Sequence, residues 1–294
     1  MDPVKQRFLA YLEFEKRYSP HTVTAYRTDL DQFSNYLLNE YGKDDLTGVD
    51  HFLVRSWMVS LLGQGIGPRS INRKLTTLKS FFRFLIREGV VTANPMKKVT
   101  SPKTARKLPV FLDREQADHL LDPSNFESGY SGLRDRLILE CFYVTGIRLS
   151  ELTGLNETDI DFRQETIKVL GKRNKERLVP FSSKMGCLLK EYIGMKRDIF
   201  GEMDALFLTD KGQPIYPRMI GRIVTGYMGR VTTQAKRSPH VLRHTFATHL
   251  LNNGAELNAV KELLGHANLS ATQVYTHNTI EKLTRIYKQA HPKA

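Results

Sequence analysis

Residues 238–254 read SPHVLRHTFATHLLNNG, a segment that combines a helical pattern with a high density of cationic and titratable side chains. The pattern predicts one helix over about residues 239–253. His240 and His244 stand four residues apart on this helix, and Arg243 lies between them. Because side chains four residues apart share a helix face, the segment predicts a site for either a metal ion or an anion.

The metal alternative has little further support in the sequence. The spacing of His240 and His244 is one that zinc ligands use on a helix. However, Val241 stands where a zinc protease has its general-base glutamate, and no acidic third ligand lies at motif spacing. Cys141 and Cys187 lack the spacing of a metal or redox motif and are predicted to be free thiols. We therefore predict no metal site and no cofactor.

The anion alternative gains support from four residues elsewhere in the second half. Arg148 stands in a glycine-broken helix start, Lys172 in a predicted turn, His266 directly after a helix and Tyr275 in a short polar helix. Together with His240 and Arg243, this set suits phosphoryl transfer without a metal, since each arginine can offer two N–H groups to one phosphate. The spacing by itself also allows a chance clustering of common residues.

Outward from these residues, the second half of the chain is predicted to be mainly helical. The alternating segments Thr166–Leu170 and Arg177–Pro180 predict a β-hairpin, and residues 205–209 predict a short strand. The predicted helices cover about residues 134–144, 149–154, 182–198, 217–229, 239–253, 256–264, 270–276 and 279–289.

The first half predicts a small bundle of about four helices without a strand. We place this domain at residues 1–102, a basic linker at 103–108 and the second domain at 109–294, in a mainly α protein. The helix at about 69–87 has an apolar face and a basic face. Its basic face predicts either a solvated surface or contacts with DNA phosphates, for which the candidates are Arg69, Arg73, Lys74, Lys79 and Arg83.

The overall charge favours a nucleic-acid partner. The 294 residues include 44 Lys and Arg against 31 Asp and Glu, which gives a net charge of +13 and an isoelectric point near 9.7. Such a balance is typical of nucleic-acid-binding proteins, although some basic enzymes share it. No apolar run is long enough for a membrane helix and no signal peptide is evident, so we predict a cytoplasmic protein without a membrane partner.

Nearly the whole chain resembles the tyrosine recombinase, or phage integrase, family, and the resemblance is closest to the Xer type of that family. In the second half it rests on residues 145–152, 171–177, 240–249 and 263–266, and on Tyr275. In the first half it rests on residues 18–22, on Tyr26, Asp29 and Leu30, and on residues 70–75.

The resemblance implies a SAM-like core-binding domain and a mixed α/β catalytic domain with a small antiparallel sheet, which close as a clamp on DNA. It implies a site-specific recombinase that works through a 3′-phosphotyrosine and a Holliday junction, without metal or ATP. The implied catalytic residues are Tyr275 as the nucleophile, Arg148, Arg243 and His266 as phosphate ligands, His240 as the proton acceptor and Lys172 as the proton donor to the leaving oxygen.

The resemblance also implies the biological setting. Its partners would be a double-stranded DNA recombination site, a second recombinase in a homo- or heterotetramer, and a DNA translocase as a regulator, in the resolution of chromosome dimers. The alternatives are the integrase of a mobile element, a type IB topoisomerase and a non-catalytic architectural DNA-binding protein. An apolar stripe at Ile280, Leu283, Ile286 and Tyr287 would be buried either on its own domain or, as in the family, on a neighbouring protomer.

Overall fold

The computed structural model of the chain describes residues 2–105, 110–171, 176–265 and 277–293, with side chains of the last helix described from residue 283. Contacts divide the chain into two compact units, Met1–Lys107 and Leu108–Ala294. The predicted helix at 270–276 lies outside the described residues. The same is true of three of the six candidate catalytic residues, namely Lys172, His266 and Tyr275.

The first unit is a helical bundle, as predicted. Its helices are α1 (Pro3–Ala10), which continues into a π-helical turn at Tyr11–Glu15, α2 (Pro20–Tyr41), α3 (His51–Gly63) and α4 (Pro68–Arg87), followed by a 3-10 turn at Pro95–Lys98. Side-chain caps explain where two of them begin. Ser19 accepts the Thr22 N–H at the start of α2, and Asp50 accepts the Leu53 N–H at the start of α3.

The core of this unit is aromatic and lies between the helices. Phe8 contacts the rings of Phe81 and Phe84, and the centroids of Phe33 and Trp57 are 4.8 Å apart. Trp57 is buried in this core. Burial of these large rings supplies much of the apolar area that stabilises a bundle of this size.

The second unit is mixed, with helices around a small antiparallel sheet. The sheet comprises β1 (Ile160–Asp161), β2 (Thr166–Leu170) and β3 (Glu176–Pro180) in that spatial order, and Arg177 pairs with Val169. The helices are α5 (Arg114–Leu120), α6 (Tyr130–Thr145), α7 (Leu149–Thr153), α8 (Ser183–Phe200), α9 (Pro217–Val231), α10 (Pro239–Asn252), α11 (Leu257–Leu263) and α12 (His277–Ala290).

Two local predictions for this unit were incomplete. The hairpin of β2 and β3 is confirmed, but residues 205–209 do not form a strand, since Ala205 and Leu208 make only isolated bridges. The described residues place the third strand at Ile160–Asp161 instead. Helix α5 was not predicted, although Asp113 and Gln116 form a capping box at its start.

Helix α6 lies in the middle of the unit and determines where the site is built. It packs against α8 and α10, and most of its side chains are buried. Gly146 ends the helix with φ +60°, and a Cβ at that position would overlap the ring of Phe246 on α10. The close approach brings the loop before α7 against α10, which are the elements that carry Arg148 and Arg243.

Helix α12 packs on its own unit. Leu283, Tyr287 and Ala290 are buried in the core of the second unit, and Asn253 donates a hydrogen bond to the Ala290 carbonyl at 2.7 Å. Leu283, Ile286 and Tyr287 of the apolar stripe therefore pack within the chain, while the side chain of Ile280 lies outside the described residues. No helix among the described residues is long and apolar enough to cross a membrane.

We expect Leu283→Ala to lower the free energy of unfolding of the protein by about 2–5 kcal/mol, because it leaves a cavity in a core position. The matched control is Leu257→Ala, since Leu257 is 54% exposed and Leu283 only 4%. Urea unfolding followed by circular dichroism measures both. Equal, small losses in the two variants would contradict packing of α12 within the chain.

Candidate active site

Three arginines from three different elements converge on the turn that follows α11. Arg148 directly precedes α7, Arg177 lies on β3 and Arg243 lies on α10. Arg177 donates from Nε to the Leu263 carbonyl at 3.1 Å, Arg243 from Nη2 to the Leu264 carbonyl at 2.6 Å, and Arg148 from Nη2 to the Gly265 carbonyl at 2.8 Å.

These three carbonyls are consecutive, and each takes a different guanidinium. The last carbonyls of a helix have no partner within the helix, and the helix dipole favours cations at that end. The C-terminal end of α11 is therefore a site for positive charge. The next residue in the sequence is His266, so the turn that the arginines hold leads directly to a candidate catalytic residue.

One buried carboxylate lies among the arginines. Glu151 accepts from Arg177 with both oxygens, at 2.6 Å and 2.8 Å. It also accepts from the Arg148 main-chain N–H at 2.8 Å and from Arg148 Nη1 at 2.6 Å. Glu151 thus orients Arg148 from two directions, and the bidentate pair with Arg177 orients Glu151.

The surroundings of Glu151 keep it ionised. Burial alone would raise the pKa of this carboxyl, but the hydrogen bonds and charge of Arg177 oppose it, and the two hydrogen bonds from Arg148 act in the same direction. The net result is a pKa lowered to about 2. The carboxylate is therefore a fixed negative charge at neutral pH.

Arg243 is held inside the protein by carbonyl groups. Its side chain donates to the carbonyls of Gly146 and Leu264, and the residue is 8% exposed. Burial, and then the charges of Arg148 and Arg177, lower the pKa of Arg243 to about 9, while Glu151 acts in the opposite direction. The guanidinium remains charged at neutral pH, but it would be stabilised by a further negative charge.

The group formed by Arg148, Glu151, Arg177 and Arg243 is therefore short of negative charge. Three guanidinium groups face one carboxylate, which leaves two positive charges uncompensated within this group. A phosphodiester carries one negative charge, and the transition state for attack on its phosphorus carries two. The charge of the group thus complements the transition state of phosphoryl transfer better than its ground state.

His240 and Arg243 are three residues apart on α10, and His240 is exposed at the first turn of this helix. The exposed imidazole is accessible to a substrate. His244 is half-buried against the ring of Phe111, and burial followed by the charge of Lys236 lowers its pKa. Its placement is that of a packing residue and not of a metal ligand.

His249 lies in the interior and is fully engaged there. Its Nε2 lies 3.0 Å from the Leu112 carbonyl, so this nitrogen must donate, and Nδ1 then accepts from the Tyr143 hydroxyl at 3.0 Å. Burial lowers the pKa of His249, which keeps the ring neutral. Within the part of the chain that the structure describes, no cluster of His, Cys, Asp and Glu is placed to hold a metal ion.

The candidate DNA-binding residues of α4 do not all share one surface. Arg69, Arg73 and Arg83 are exposed and Lys79 is half-buried. Lys74 is 6% exposed, and its ammonium is bonded to Asp29 at 3.1 Å and to Gln32. The structure therefore brings four of the five to the basic face and places Lys74 between α2 and α4.

Asp29 on α2 is a partner that the pattern of α4 did not reveal. It is completely buried, and it accepts from Arg73 at 2.5 Å, from Lys74 at 3.1 Å and from Thr77 at 2.9 Å. The only earlier signal was its place in the motif of residues 26–30. Its carboxylate fixes one side of the Arg73 guanidinium, while the Arg73 side chain is still 51% exposed.

With the fold and this geometry in place, comparison with known proteins gives a consistent result. Residues 110–282 match the Phage integrase family, and residues 6–89 match the Phage integrase, N-terminal SAM-like domain. A tyrosine recombinase XerC from Chlorobaculum tepidum is 42% identical over 98% of this chain and 94% of its own length. A tyrosine recombinase XerC from Pelobacter propionicus is 43% identical over 100% of this chain and 98% of its own length.

Solved structures share the fold. The XerH site-specific recombinase in a post-cleavage complex with a palindromic difH substrate aligns with a TM-score of 0.73 and 21% identity, over 98% of this chain and 82% of that one. A lambda integrase (75-356) dimer bound to a COC′ core site aligns with a TM-score of 0.70 and 18% identity, over 93% and 96%.

The family match and these relatives show that the chain is a DNA breaking and rejoining enzyme. The chain belongs to the phage integrase family of tyrosine recombinases, and within that family it is similar over nearly its full length to proteins named XerC. It is therefore a site-specific tyrosine recombinase.

The buried carboxylate gives a prediction about acid stability. Because the pKa of Glu151 falls from 4.5 to about 2 on folding, its ionised form stabilises the fold above pH 4.5, and this contribution is lost as the pH falls towards 2. We expect Glu151→Gln to lower the free energy of unfolding by about 3 kcal/mol at pH 6 and by roughly half as much at pH 3. Urea titrations at both pH values measure this.

The control is Glu256→Gln, at an exposed residue just before α11. It should change the free energy of unfolding little at either pH. If the loss in Glu151→Gln were the same at pH 6 and pH 3, the carboxylate would not be ionised and stabilised in the way that its hydrogen bonds indicate.

Proposed function

We propose that the chain cleaves one strand of a recombination site with Tyr275 and forms a 3′-phosphotyrosine, while Arg148 and Arg243 hold the scissile phosphate. The observation that supports this proposal is the group of three arginines and one carboxylate on the turn before His266. Its two uncompensated positive charges complement the two negative charges of a phosphoryl-transfer transition state.

The arginines are already oriented before a substrate binds. A guanidinium has five N–H groups. In the described contacts Arg148 uses Nη1 for Glu151 and Nη2 for Gly265, and Arg243 uses Nη1 and Nη2 for two carbonyls. The other N–H groups are the donors that we assign to the non-bridging phosphate oxygens. Because protein groups hold the other edge of each guanidinium, little reorganisation is needed when charge develops.

The remaining roles complete the reaction. The hydroxyl of Tyr275 attacks phosphorus and loses its proton to His240, which is needed because only about one tyrosine in a thousand is ionised at pH 7. The bond from phosphorus to the 5′-oxygen breaks, and Lys172 gives that oxygen a proton. His266 donates a hydrogen bond to the phosphate. A 5′-hydroxyl from another strand reverses these steps, so bonds are exchanged without ATP.

The DNA-binding surface of the first unit is proposed to be the basic face of α4. Arg69, Arg73, Lys79 and Arg83 would contact phosphates there, because they lie on the exposed or half-exposed side of the helix. For Lys74 we propose an indirect role, since its buried ammonium pairs with Asp29 and helps to hold α2 against α4. In this proposal the DNA duplex binds both to the basic face of α4 and to the arginine group of the second unit.

The biological role that we propose is the resolution of chromosome dimers in the bacterial cytoplasm. It is supported by the relatives named XerC, at about 40% identity over nearly the whole chain. The structures of XerH on difH DNA and of a lambda integrase dimer on a core site support action on a recombination site within a multimer. We propose a homo- or heterotetramer with a second recombinase, under the control of a DNA translocase.

The nucleophile is tested by Tyr275→Phe, which removes a single oxygen. We expect this variant to bind DNA as the wild type does and to form no covalent protein–DNA adduct on a nicked suicide substrate. Denaturing gel electrophoresis of the adduct and a gel shift of the complex measure the two properties. Tyr216→Phe, at a 45% exposed tyrosine of the same unit, is the control that should still form the adduct.

An adduct in the Tyr275→Phe variant would show that another residue is the nucleophile. The same substrate distinguishes the alternatives for the whole enzyme. A type IB topoisomerase would relax a supercoiled plasmid without exchanging two sites, and an architectural protein would form no adduct. Exchange between two chromosomal sites, as opposed to mobile-element ends, supports the proposed role.

The basic face is tested by the salt dependence of binding. If Arg69 and Arg83 contact phosphates, each Ala variant should reduce the slope of log K against log salt by about 1, on any DNA sequence. Arg73 is less suitable, because its loss would also remove one of the three side chains that donate to the buried Asp29 carboxylate. Arg55→Ala, at an exposed arginine on α3, is the control. Unchanged slopes for both the Arg69 and the Arg83 variants would show that this face is a solvated surface that does not contact DNA phosphates.

A further inference from the structure

Arg177 stands out among the buried charges of the second unit because it is not one of the six candidate catalytic residues. It is 5% exposed and is the second residue of β3, which begins at Glu176. All three of its described hydrogen bonds are directed to groups that support the site. They are the two to the Glu151 carboxylate and the one to the Leu263 carbonyl.

The contacts of Arg177 connect three elements that the proposed reaction needs to keep in register. Through Glu151 it reaches the start of α7, where Arg148 stands, and through Leu263 it reaches the end of α11. Its own strand, β3, begins four residues after Lys172 in the sequence. One side chain thus connects the segments that carry Arg148, Lys172 and His266.

The fit of Arg177 against the turn is close. Gly265 adopts φ +63°, and a Cβ on it would lie 3.1 Å from Cδ and 3.2 Å from Nε of Arg177. The guanidinium therefore packs against the bare backbone of the glycine that precedes His266. A shorter or differently shaped cation would leave a gap there or lose the bond to Leu263.

We propose that Arg177 is a positioning residue for strand cleavage. It fixes the Glu151 carboxylate in the orientation that aims Arg148 at the scissile phosphate, and it holds the turn of residues 263–265 that precedes His266. This inference rests on the proposed function of the site, but Arg177 itself does not touch the DNA.

A positioning role is favoured over simple structural pairing by the balance of charges. The groups that face Glu151 are Arg148 from the start of α7 and Arg177 from β3, with Arg243 from α10 nearby. If Arg177 only neutralised Glu151, Arg148 alone could do so. Two arginines on one carboxylate leave the carboxylate with a single available orientation, because the bidentate pair occupies both of its oxygens.

The test compares Arg177→Met and Arg177→Lys with Arg134→Met. Arg134 is a suitable control because it is equally buried in the same unit and pairs with Asp135 and Asp210, away from the site. Thermal unfolding of each variant identifies those that remain folded. The assay is single-turnover cleavage of a nicked suicide substrate with enzyme in excess, together with a gel shift for DNA binding.

We expect both Arg177 variants to keep DNA binding and to lose about 10- to 100-fold in cleavage rate, with the smaller loss in Arg177→Lys. Arg134→Met should cleave at the wild-type rate. If Arg177→Met fails to fold, Arg177→Lys answers the question, since it keeps the charge but cannot bind both Glu151 oxygens and Leu263 together.

The pH dependence separates positioning from a general loss of structure. Without Arg177, burial should raise the pKa of Glu151, so its ionised form would be lost at a higher pH. The ratio of the variant's cleavage rate to that of the wild type should therefore fall from pH 8 to pH 5. Histidine titrations that affect both enzymes equally cancel in this ratio. For Arg134→Met the ratio should stay constant.

A double-mutant comparison completes the test. If Arg177 acts through Glu151, Glu151→Gln combined with Arg177→Met should cleave no more slowly than the worse single variant. Multiplying losses, or a ratio that does not change with pH in both Arg177 variants, would overturn the inference. An inactive wild type would instead refute the proposed function, so the two failures are distinguishable.

Discussion

The C-terminal end of α11 is the feature on which the candidate site depends. Its last carbonyls need donors, and three guanidinium groups from β3, α10 and the start of α7 provide them, one for each of Leu263, Leu264 and Gly265. Each arginine comes from a different part of the chain, so the site forms only when β3, α10 and the start of α7 have met at the end of α11. The site is therefore assembled by the folding of the second unit.

Two buried arginines and one partly exposed arginine beside a single carboxylate carry a cost in folding free energy. Arg243 has a lowered pKa because burial and its two neighbouring arginines disfavour its charge. A structure selected only for stability would be better served by apolar side chains at such positions. An anion bound among the arginines would relieve their mutual repulsion, and in the proposed reaction this would favour binding of the phosphate. The doubly charged transition state would relieve the repulsion most.

The sequence predicted the helices and strands better than it predicted the side-chain pairs that join them. Periodicity and caps located most helices and the β2–β3 hairpin, but the two-residue strand at Ile160–Asp161 is too short to leave a pattern. Lys74 could have been placed correctly, since at 100° per residue it lies about 140° from Arg69 and on the apolar side of α4. The pairing of Asp29 with α4 and of Arg177 with Glu151 could not be predicted from the sequence pattern. Both pairs join residues that are distant in sequence.

The two units use the same physical device, although their folds are unrelated. In each, a fully or nearly buried carboxylate holds two cationic side chains: Asp29 binds Arg73 and Lys74, and Glu151 binds Arg148 and Arg177. In each pair one cation is buried and the other is partly exposed. The buried cation fixes the position of the carboxylate through hydrogen bonds, and the carboxylate then orients the more exposed arginine. Such an arginine has already lost much of its rotamer freedom, so less entropy is lost when it meets a phosphate.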